Sequence, residues 1–177
     1  MMTLDEAKEL YMKYNCSLYQ MFREEQDKYI LYKELNITEE IEQYWKNEYI
    51  QHIYLLIKRT GDGMYFNQLY ELAISFCDKE RLSVLISALE YIDYSDDGMA
   101  LCVAETIIGR KKVSVRSGMI FWAWKIGEFD MVLELIEKVQ IIITYEMSPK
   151  QQGRKARIIR KVEEIRREIS EYTNANK

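Results

Sequence analysis

The chain has 177 residues, of which 48% are hydrophobic and 31% charged, with a net charge of −4. That length suits a single domain, residues 1–177, with a proper core, and that balance excludes a disordered chain. No uninterrupted apolar run exceeds the six residues of Met119–Trp124, far too short to span a bilayer, and the acidic start Asp5-Glu6 is unlike a secretory signal, so a cytoplasmic protein without membrane contact is expected.

One proline and seven glycines leave few breakers, so helices are predicted throughout. Thr3 and Glu6 form a capping box that starts a helix near Leu4. Its apolar residues Leu4, Ala7, Tyr11, Tyr14, Leu18 and Met21 follow heptad steps up to a break at Asn36-Ile37-Thr38. Thr38 caps the next helix, with Glu39 and Glu40 in its first turn, and Ile41, Tyr44, Trp45, Ile53 and Leu56 run along it. Thr60-Gly61-Asp62-Gly63 is a turn. A helix with Leu69, Leu72, Ala73 and Phe76 on one face follows. Asp78-Lys79 turns the chain into a stripe of Leu82, Leu85, Ile86, Leu89 and Ile92. The loop Asp93–Gly98 leads to a short helix through Leu101, Ala104 and Ile108, closed by Gly109 and the basic residues after it. Next comes an apolar helix, a tight turn at Gly127 and an amphipathic helix. Pro149 opens the last helix, which runs to about Tyr172.

The middle of the chain repeats a design. Leu82-x-x-Leu85-Ile86-x-x-Leu89 lies 47 residues before Phe129-x-x-Val132-Leu133-x-x-Ile136, and each stripe follows a short turn after an aromatic-rich helix. Such a period fits stacked helical hairpins. Lys125-Ile126-Gly127-Glu128-Phe129-Asp130-Met131-Val132, continuing to Lys138, resembles the turn and second helix of a tetratricopeptide-type repeat, over about one hairpin, residues 116–139. The resemblance implies a helical-repeat scaffold. The chain departs from the family at Ile120 and Val132, where small residues usually stand, and at Arg116, where an aromatic does. Bulkier residues there hold helices further apart. The fold expected is all-α, with seven to eight helices in a helical-hairpin, α-α superhelix-like array.

Charge is unevenly placed. Residues 149–177 carry nine basic and four acidic residues, a net +5, which leaves sixteen basic against twenty-five acidic, a net −9, over the other 148. Lys150, Arg154, Lys155, Arg157, Arg160 and Lys161 fall in a stretch without acids, the chain's best candidate for binding a polyanion. The same helix carries Ile158, Val162, Ile165, Ile169 and Tyr172 in heptad steps. The competing expectation is that this stripe docks on the core and the basic face answers the acidic body.

Twelve of fourteen tyrosines precede Ser95. Tyrosine anchors interfaces well, so Tyr29, Tyr32, Tyr44 and Tyr49 are candidates for a partner-binding surface, or else half-buried filler. Asp93-Tyr94-Ser95-Asp96-Asp97-Gly98 opens like a calcium loop. The twelfth position, where a bidentate Glu belongs, is Ala104, so an acidic loop in which Asp96 or Asp97 caps the next helix is the stronger expectation. His52 is the only histidine, which rules out a multi-His metal site; it is expected partly buried among Trp45, Tyr49 and Leu56. Cys16, Cys77 and Cys102 have no CxxC spacing and suit reduced, buried thiols. No phosphate loop or HExxH motif occurs, so no cofactor, metal or catalytic set is predicted.

The leading expectation is therefore a non-enzymatic, cytosolic protein-interaction module whose acidic, Tyr-rich body binds a basic protein. One alternative is a nucleic-acid-associated protein acting through residues 150–161. Another is a small antitoxin- or immunity-type protein, by analogy of size and charge. Heptad spacing in both terminal helices leaves a homodimer open.

Overall fold

The computed structural model describes residues 2–109 and 118–175. Among them lie ten α-helices, one short 3-10 turn and no strand. The class expected from composition is found, but the count of seven to eight is too low. The difference lies in the first helix. It runs as three pieces: α1 (Leu4–Lys13), α2 (Leu18–Glu24) and α3 (Gln26–Glu34). Asn15 and Cys16 take φ of 51° and 56°, and two left-handed residues in a row end α1 despite the unbroken apolar spacing. Ser17 then caps α2 by accepting the Gln20 N–H.

The chain divides into two compact units, Met1–Leu55 and Leu56–Lys177. In the first, the capping box at Thr3 and Glu6 is present as expected. The core is aromatic. The Tyr11 ring stacks on Tyr32 at 6.0 Å and packs against Trp45 at 6.2 Å; Trp45 lies on α4 (Glu39–Thr60). Tyr32 donates its hydroxyl to Glu42 Oε1 at 2.9 Å, which satisfies a polar atom that would otherwise be costly to bury. Burial pushes both phenols above their usual range and raises the Cys16 thiol to about 12. Glu25, the joint between α2 and α3, takes both Lys13 and Lys28. Their hydrogen bonds hold its carboxyl down at about 2.

The second unit is built around α7 (Asp97–Ile108). Seven of its twelve residues are buried, from Ala100 to Ile108, so it is apolar nearly all round, as a central helix must be. Two hairpins flank it: α5 (Gly63–Ala73) with α6 (Lys79–Ala88), and α8 (Met119–Lys125) with α9 (Phe129–Thr144). α7 touches α5, α8 and α9, and α6 also touches α8. Turn chemistry reads through from sequence to structure. Asp62, Asp78 and Asp96 cap α5, α6 and α7, each accepting a backbone N–H two or three residues on. Gly127 takes φ of +81° at the α8–α9 turn. Ile120 and Val132, the bulky departures from the repeat pattern, are both buried. Arg116 and the residues 110–117 around it lie outside the described residues.

The last helix, α10 (Gln152–Ala175), packs on α7 and α9. It begins three residues after Pro149, which stands in the preceding turn rather than in the helix. Ile158, Val162 and Ile165 are buried, so the heptad stripe is a docking face. No helix among the described residues is long and apolar enough to cross a membrane.

Candidate functional site

A concavity of the first unit runs along α1. Met2, Leu10 and Leu31 provide its apolar wall, and Glu6, Glu9, Lys13 and Lys28 its polar rim, around a cleft of about 620 Å³. The α1 residues recur at positions 6, 9, 10 and 13, which is one face of a helix, with Met2 just before its cap, and Lys28 and Leu31 of α3 stand one turn apart on the other side. α1 has ten residues, so the cleft has roughly 15 Å of helix along one wall. Its two lysines are both answered by Glu25, and Glu6 is occupied by the Thr3 cap. Glu9 remains exposed on the rim.

Charge sets the first unit apart. Residues 1–55 contain eleven acidic and six basic residues, a net −5, so the other 122 residues, with eighteen acidic and nineteen basic, carry +1. Apolar display points the same way. Leu4, Tyr19, Phe22, Ile30, Leu31, and further on Tyr44 and Leu55, are all exposed within this small unit. Exposed apolar groups gathered beside charge mark interaction surfaces in soluble proteins.

The predicted tyrosines separate. Tyr44 is 63% exposed beside Glu39, Glu40, Gln43 and Asn47. Tyr29 and Tyr49 are half-buried, Tyr29 edge-on to Phe22 at 5.3 Å and Tyr49 stacked on His52 at 6.1 Å. Tyr32 is buried and belongs to the core, not to a surface. His52 is exposed rather than enclosed: it lies on the flank of α4, while Trp45 faces inward, and Glu48 reaches Lys8 at 2.8 Å instead of the imidazole.

Three of the six basic residues proposed for polyanion binding are engaged in docking α10. Arg154 makes a two-pronged bond to Glu105, at 2.8 and 2.7 Å, and reaches the Gly98 carbonyl. Lys155 donates to the Tyr145 carbonyl, and Lys161 to Gly109 O at 2.6 Å. The Glu105 carboxylate raises the pKa of Arg154, and burial lowers that of Lys161. Lys150, Arg157 and Arg160 stay exposed.

The acidic loop is likewise committed to structure. Asp93 accepts the Ser95 N–H at 2.9 Å, Asp96 caps α7 through the Met99 N–H, and Asp97 accepts the Ser148 N–H at 2.7 Å. Glu105, one residue past the twelfth position of that loop, holds Arg154. No group of three His, Cys, Asp or Glu among the described residues is placed to hold a metal ion.

Sequence reasoning missed the α1–α3 cleft. Its signal was the run Tyr29-Ile30-Leu31-Tyr32: four successive apolar residues cannot share one helix face, so some had to be exposed. Comparison of the chain with protein-family models, with curated proteins and with solved structures finds no match.

Proposed function

We propose that the chain is a non-enzymatic, cytosolic protein-interaction module whose first unit binds a basic, amphipathic segment of a partner protein. The observation that carries this reading is the coincidence, within residues 1–55, of a −5 charge, an open cleft with Leu10 and Leu31 in its wall, and exposed large apolar side chains. A partner helix of about three turns matches the length of α1 beside the cleft. Its apolar ridge would sit on Leu10 and Leu31, and its cations would face Glu9 and the acidic surroundings. The second unit, on this reading, is a repeat-like scaffold: two hairpins in register about a central helix, as the 47-residue spacing and the tetratricopeptide-like turn suggest.

Affinity capture from lysate, with and without nuclease, tests the proposal when the wild type is compared with a Glu9→Lys, Leu31→Asp variant. The expected result is a nuclease-resistant partner with a basic segment, lost in the variant and weakened by salt. Capture unchanged in the variant refutes the cleft. Capture abolished by nuclease moves the function to nucleic acid and to Lys150, Arg157 and Arg160.

A further inference from the structure

The outer face of α9 carries an apolar surface that no described residue covers. Phe129 is 43% exposed, Leu133 53% and, beside them on α10, Tyr172 48%. The rings are ordered among themselves: Tyr172 meets Trp124 at 4.9 Å and Phe129 at 6.0 Å. Next to this cluster a groove of about 240 Å³ separates α9 from α10. Leu133, Ile136 and Ile169 give it apolar walls, and Glu137 and Arg166 stand on opposite lips.

We propose that this face is the interface with a second copy of the same chain. Two features argue for a copy rather than a foreign partner. First, a knob and a hole lie side by side: Leu133 projects next to the groove it helps to line. A two-fold axis through such a face lets the knob of each protomer enter the hole of the other. Second, the lips carry one anion from α9 and one cation from α10. A two-fold pairing sets Glu137 of each protomer against Arg166 of its partner, so the face is complementary in charge to itself. The face lies within the second unit and is independent of the α1–α3 cleft.

Sedimentation velocity on the full chain, up to about 200 μM, is the test. The wild type is expected to sediment as a concentration-dependent dimer, and Leu133→Glu as a monomer with unchanged helical circular dichroism. The decisive arm uses two charge variants. Glu137→Arg alone sets like charges against each other at both contacts, and so does Arg166→Glu alone; each is expected to weaken association about tenfold or more. Mixing the two variants restores opposite charges at both contacts and therefore restores the dimer, an outcome that misfolding of either variant cannot produce. A wild type that stays monomeric throughout, or a mixture no more associated than its components, overturns the proposal. Neither result bears on partner binding at the first unit.

Discussion

Residues 1–55 bury ten hydrophobic side chains, four of them aromatic, whereas residues 56–177 bury thirty, with only Phe66 and Trp122 aromatic among the described residues. The first unit thus relies on a few large rings, each partly polar, that need partners such as Glu42 for Tyr32. The second relies on many aliphatic contacts around one helix. The difference explains where each can be altered. A rigid aliphatic core leaves surfaces free to be shaped by other demands, while a small aromatic unit has too little interior to hide all its apolar residues and presents them instead.

The contrast can be broken most severely at Gly118, just before α8. Its φ is +116°, and a Cβ there would meet Gly109 N at 2.5 Å and the Ile107 carbonyl at 2.7 Å, both backbone atoms. Gly118→Ala should therefore cost about 3 kcal/mol or more in denaturant unfolding. Gly127→Ala, with the same class of dihedral but open space, should cost only about 1 kcal/mol. Equal losses would show that the close approach at Gly118 contributes nothing. Next comes Leu101→Ala at the centre of α7, where a fully buried side chain leaves a cavity, with an expected loss of about 3 kcal/mol.

Smaller effects sharpen the comparison. Arg154→Ala strips a partner from the largely buried Glu105, and a loss of about 1–2 kcal/mol is expected once solvent screening is allowed for. Amide exchange should be faster in α1–α3 than in α7, because the first unit has the smaller core. Matching protection in the two would erase the distinction drawn above. The smallest effect is confined to acid. The Glu25 carboxyl titrates at about 2 when folded against an ordinary 4.5, because Lys13 and Lys28 bind its charged form. Its contribution is present above pH 4.5 and is lost as pH falls from there towards 2. In Glu25→Gln the stability curve should flatten in that window and nowhere else; an unaltered acid limb would remove Glu25 as its source.

Caps and turns were legible in the sequence because their chemistry is local. Thr3, Asp62, Asp78 and Asp96 act where their residue types place them, and Gly127 turns the chain where it was expected to. The break at Asn15-Cys16 was not legible in the apolar pattern, since the heptad spacing continues across it, while the chain turns there on two left-handed residues. The fate of the basic helix was half legible. Its heptad stripe announced docking, but which cations would be spent depended on Glu105 and on carbonyls some fifty residues distant. The cleft and the α9–α10 groove lie between segments far apart in sequence or across a turn, and no single window of residues contains either.

The burial of α7 on nearly every side also sets an order of events during synthesis. α7 is complete at Ile108, yet part of its cover is α10, whose buried residues Ile158 and Val162 come about fifty residues later. At about 5–20 residues per second, that is an interval of about 3–10 s in which this central helix has left the ribosome's decoding centre ahead of part of its cover. Residues 97–108 of a nascent chain are therefore expected to be less protected from solvent until the C-terminal helix arrives, and chains truncated before α10 would stay so.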